Sequence, residues 1–104
     1  MTHVPLVCNL EAFTVEQRQR HATLRDQLAQ LVIDVRELPD GYAFHYRSDP
    51  AVWMIAAEFV DFERRCCPFF HFTLTLDPTG ETKLKLSGSD QVKQVIAAEL
   101  RPTG

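Results

Sequence analysis

Glu63-Arg64-Arg65-Cys66-Cys67-Pro68 sets one carboxylate three and four residues ahead of two adjacent thiols. On a helix that spacing brings all three side chains within reach of one another. A thiolate is a nucleophile and a ligand for soft metals. A carboxylate withdrawn from water can act as an acid, a base or a further ligand. At about 100° per residue, Val52, Ile55, Ala56, Phe59, Val60 and Phe62 form the apolar face of a helix expected over 50–67. Asp49 is its expected N-cap and Pro50 its first helical residue. Glu63 falls near the middle of that face, with Cys66 and Cys67 on its flanks. Glu58, Asp61, Arg64 and Arg65 point towards water.

A glutamate inside an apolar stripe is costly unless it is paired, protonated or bound to a cation. It can also bend its stem to solvent or pair with an arginine, and free cysteines are common small core residues. Pro68 pushes Cys67 out of helical geometry and fixes where the pair sits. Alpha carbons joined by a trans peptide are about 3.8 Å apart, below the usual span of a disulfide. A bridge between Cys66 and Cys67 is therefore not expected, and these thiols are placed to bind a metal, react or pack.

Two chemistries follow. In the first, Cys66 and Cys67 ligate a thiophilic metal or metalloid such as zinc. Cys8 is a third ligand if the N-terminal segment folds back over the helix end, and His71, His3 or Glu63 a fourth. Three sulfurs without a strong fourth ligand suit trigonal coordination of a toxic thiophile better than structural zinc. In the second, Glu63 is a catalytic acid or base with a pKa raised by desolvation. There Arg64 and Arg65 would lower a neighbouring thiol pKa, while the helix C-terminus would raise it.

The elements that must position these groups are legible from periodicity. Residues 1–13 look irregular. Thr14 and Gln17 make a capping box for a helix to about Gln30, whose thin apolar side holds Leu24, Leu28 and Leu31. His21 lies on that side, where a histidine is ordinarily a packed core residue. Ile33 to Leu38 and Tyr42 to Arg47 read as strands around Pro39-Asp40-Gly41, a turn in which glycine can take a positive φ. Phe69 to Leu76 is a third strand, with Phe70, Phe72, Leu74 and Leu76 facing the core. Asp77-Pro78-Thr79-Gly80 turns into a fourth strand at Lys83 to Leu86. Ser89 caps a last helix that buries Val92, Val95, Ile96 and Leu100. The expected fold is α+β: a four-stranded antiparallel sheet with three helices, in the order α-β-β-α-β-β-α. Its open face would carry Arg36, His45, Arg47, His71, Thr73, Lys83 and Lys85, solvated or set against an anion or a second subunit.

At 104 residues the chain makes a single domain with one modest core. Its net charge of −3 is spread along the sequence, without a basic tract for nucleic acid. No apolar run approaches the ~20 residues of a membrane span. The start lacks the basic region of a secretory signal. Three cysteines, two of them adjacent, do not make a disulfide framework, so a reducing cytoplasm is the expected home.

Cys8-Asn9-Leu10, Glu37-Leu38-Pro39-Asp40-Gly41-Tyr42 and Glu63-Arg64-Arg65-Cys66-Cys67-Pro68-Phe69 resemble a family of small uncharacterised bacterial proteins with an E-R-x-C-C-P-F motif. That resemblance spans nearly the whole chain, marks the same three cysteines and implies no activity. The element order, with a central helix ending in a doublet before proline, more loosely resembles pterin-4a-carbinolamine dehydratase over residues 14 to 100. There an acidic residue precedes a His-His-Pro sequence whose histidines dehydrate a pterin. Cys66-Cys67-Pro68 stands in that place here and Glu63 is spaced one residue differently, so the resemblance implies the fold rather than the activity.

The leading expectation is a thiol-centred site of Cys8, Cys66, Cys67 and Glu63, with His71 beside it, that binds a thiophilic metal. The alternatives are a small enzyme using Glu63 and nearby histidines on a small ligand, and an assembly module of like chains whose cysteines only pack.

Overall fold

The computed structural model describes residues 8–100. After a 3-10 turn at Leu10–Ala12, the elements are α1 (Val15–Leu31), β1 (Val32–Leu38), β2 (Gly41–Tyr46), α2 (Val52–Cys66), β3 (His71–Leu76), β4 (Thr82–Ser87) and α3 (Asp90–Leu100). This is the expected α-β-β-α-β-β-α order. The strands form one antiparallel sheet in the order β1-β2-β4-β3, so each hairpin contributes one central and one edge strand. Antiparallel sheets of this kind bury one face and leave the other wet. Tyr42, Phe44 and Tyr46 of β2 stand in register with Leu86, Leu84 and Thr82 of β4. They share the core with Leu24 and Leu28 of α1, Val52, Ala56, Phe59 and Phe62 of α2, and Val92 and Ile96 of α3.

Local chemistry sets the boundaries. Thr14 closes its capping box: its hydroxyl accepts from the Gln17 backbone N–H at 3.1 Å, and the Gln17 side chain accepts from the Thr14 N–H at 2.9 Å. α2 begins at Val52, two residues later than Asp49 as N-cap and Pro50 as first helical residue predict. The Asp49 carboxylate accepts from the Ala51 N–H at 2.8 Å, holding residues 50 and 51 as a turn ahead of the helix. Ser89 caps α3 through the Val92 N–H at 3.2 Å. Gly41 serves close approach rather than positive φ: a β-carbon there would stand 1.9 Å from the Leu86 carbonyl oxygen across the β2–β4 pair. The positive φ belongs to Gly80, at 85° in the β3–β4 turn.

Two strand expectations are corrected. β3 opens at His71 instead of Phe69, because Pro68 and the bond from the Phe70 N–H to the Cys67 carbonyl form a turn first. Leu76, expected in the core, is exposed at the end of that edge strand. A register shift between Val32 and Asp34 likewise turns Ile33 out to solvent on the other edge.

Candidate functional site

The site gathers where α2 ends. Its last turn carries Glu63 and Cys66 inward, and both are almost wholly buried, as is Cys67. Cys67 departs from helical geometry at φ −125°, ψ 67°, while its N–H still donates to the Glu63 carbonyl at 2.7 Å. Pro68, which cannot continue the helix, thereby swings the second sulfur away from the axis.

Two other segments close over this end. The Asn9 N–H donates to the Cys66 carbonyl at 2.8 Å, satisfying an acceptor that the helix end leaves open. That bond brings Cys8 to the doublet, where it forms a disulfide with Cys67 across an alpha-carbon distance of 4.5 Å. This corrects the expectation that the cysteines make no disulfide: the sequence lacks the pattern of a framework, yet the fold places one partner against the other. Phe13 packs edge-on to Phe62 at 5.4 Å, and the Arg65 guanidinium lies over the Phe62 ring at 4.7 Å, roofing the site.

The second segment is α1. Arg20 binds Glu58 through two bonds of 2.6 and 2.7 Å, pinning α1 to α2 and holding the Glu58 carboxyl below its usual range. The next residue, His21, is buried, stacks flat on Phe59 at 5.5 Å and is hydrogen-bonded to Glu63 across 2.6 Å between Nε2 and Oε2. The residue that reads in sequence as a packed core histidine is therefore the partner of the buried acid. Nothing but its place on the apolar side of α1 signals this, because 42 residues separate the two.

Glu63 sits at the centre of the arrangement. One carboxylate oxygen meets His21, and the other lies 3.5 Å from the Cys67 sulfur. That sulfur carries no proton while bonded to Cys8, so this contact becomes a hydrogen bond only on reduction. The Cys66 thiol lies 3.4 Å from the Cys67 sulfur and 4.0 Å from the nearer Glu63 oxygen. Burial, reinforced by the Glu63 charge, pushes the Cys66 thiol up to about 12. It is thus a neutral thiol near pH 7.

Two ligand sets emerge, and Glu63 belongs to both. Cys8, Glu63 and Cys67 offer ligand atoms within 4.8 Å of one another, and so do His21, Glu63 and Cys66. Glu63, Cys66 and Cys67 meet as their spacing predicts, and Cys8, whose reach the sequence leaves open, joins them. His71 is not in either set: it opens β3 as an exposed residue opposite Ser87. His3 lies outside the described residues.

No family model, no curated protein and no solved structure matches the chain. Among the described residues, no helix is long and apolar enough to cross a membrane.

Proposed function

We propose that the end of α2 is a binding site for a thiophilic metal or metalloid ion, active when the Cys8–Cys67 disulfide is reduced. The observation that carries this reading is the convergence of three sulfurs, a carboxylate and an imidazole into two overlapping ligand sets. Thiolates select soft ions such as zinc, cadmium or trivalent metalloids. Glu63 and His21 supply a hard fourth ligand or a proton acceptor, and binding must displace the thiol protons. Ligation also offsets the cost of ionising Cys66 in a buried setting, since a bound cation supplies the missing counter-charge.

The test is cadmium titration of anaerobically reduced chain, followed by sulfur-to-metal ultraviolet absorption. One ion per chain is expected, with the absorption falling in steps through Cys8→Ser, Cys66→Ser and Cys67→Ser. The oxidised chain should bind at least tenfold more weakly. Reduced protein that takes up no cadmium, with three thiols equally reactive before and after its addition, sinks the proposal.

A second reading is favoured by the buried His21–Glu63 pair. Such a pair can move a proton, as a small dehydratase-like enzyme requires. Glu63→Gln would then abolish turnover of a small ligand while the chain keeps its fold.

A further inference from the structure

A cavity of about 200 Å³ opens between α1, the helix-facing side of the sheet and the end of α3. Its wall includes Leu28 and Val32 near the end of α1, Phe44 and Leu84 of the central strands, and Leu100 of α3. Phe59 is the wall it shares with the thiol site, since the same ring stacks on His21. Every lining residue is apolar or aromatic except Arg25.

Arg25 is an anomaly. Its Nε is buried and has no hydrogen-bond partner among the described residues. Buried donors are almost always satisfied, and an orphan on a charged group is among the costliest to leave. Its position on the cavity wall gives that donor somewhere to be used. Tyr46 adds a second polar group to the wall, and burial raises its phenol above the ordinary value, so it stays a neutral hydroxyl.

We infer that this cavity binds a small organic anion with an apolar body, an aromatic or branched aliphatic carboxylate whose carboxylate pairs with Arg25. Guanidinium presents a planar fork that takes a carboxylate through two bonds, Nε–H among them. Size agrees with the class. A dry cavity of about 150 Å³ holds benzene, so this space takes one ring with a short substituent. A mostly apolar wall with one placed polar group is the usual build of such a site. No cysteine lines this cavity, so the inference rests on groups outside the ligand sets of the metal reading.

The test uses the full chain and three probes of one shape: benzoate, toluene and benzylamine, followed by amide chemical shifts. Benzoate is expected to shift amides around Arg25, Phe44 and Phe59, and to bind at least tenfold more tightly than toluene, with benzylamine weakest. Arg25→Gln should bring benzoate down to the level of toluene while toluene itself still binds. Ala29→Phe, which fills the wall from α1, should abolish all three. Benzoate binding that survives Arg25→Gln, or shifts that map away from the cavity, would overturn the assignment. So would the absence of shifts with every probe up to its solubility limit.

Discussion

Two regions of this molecule hold the same residue types and differ in what they can do with them. The open face of the sheet carries His45, His71, Lys83 and Lys85, and two of them meet acidic partners. His45 meets Glu81 at 3.1 Å, and Lys85 meets Asp40 at 3.5 Å. Both pairs are bathed by solvent on at least one side, where water and salt screen the attraction. The end of α2 pairs one histidine with one glutamate at 2.6 Å, each side chain at most 4% exposed. There the pair cannot fall back on water, and each partner exists only because the other does. The contrast teaches that a histidine–carboxylate contact is a stability feature, a chemical site or a decoration according to its burial.

The comparison breaks most sharply at His21. Its replacement by alanine leaves Glu63 buried without its partner, and a loss of about 3–5 kcal/mol is expected in urea unfolding. The double change His21→Leu with Glu63→Leu should recover much of that loss, since it removes both polar groups together. A His21→Ala cost below about 1 kcal/mol would place the pair with the surface contacts.

A smaller effect comes from alkaline pH. Cys66 ionises near 9 as a free thiol and near 12 when folded, with burial the chief cause. Stability is therefore fully present below pH 9, where the thiol is neutral in both states, and falls as pH rises from 9 towards 12. The expected loss is about 1.4 kcal/mol by pH 10, read as the difference in slope between the wild type and Cys66→Ala. Equal slopes would mean that the thiol reaches water.

The smallest effect belongs to the open sheet face. His45→Ala should change stability by less than about 1 kcal/mol, and the change should shrink in high salt. A larger cost that salt leaves untouched would show that the His45–Glu81 contact behaves as a buried pair.

Much of the fold is legible in the sequence. Period-two alternation in Tyr42-Ala43-Phe44-His45-Tyr46 and Lys83-Leu84-Lys85-Leu86 predicts two half-buried strands, which pair with each other in the sheet. The capping box at Thr14 and the Ser89 cap predict helix starts that hydrogen bonds confirm. Half of the site was legible as well. Glu63, Cys66 and Cys67 are neighbours on one helix turn, so their meeting follows from helical geometry alone.

The remainder depended on distance through space. His21 on α1 reaches Glu63 because the apolar faces of α1 and α2 pack in one core, with Leu24 and Leu28 beside Phe59 and Phe62, which no local pattern records. Cys8 lies in a segment without periodicity, and a single backbone bond from Asn9 to the end of α2 delivers it. The cavity beside Arg25 exists only where α1, the sheet and α3 meet.

By itself, then, the sequence determined which groups share a helix turn, which faces are apolar and in what order the elements follow. Those properties arise from interactions a few residues long, and they are written in spacing. Tertiary structure alone decided that Glu63 is answered by a histidine, that Cys67 rather than Cys66 holds Cys8, and that an arginine with an unpaired buried donor lines an apolar cavity. Each depends on how one packed surface is rotated against another. That is set by the summed shape and burial of many side chains rather than by any pair in sequence.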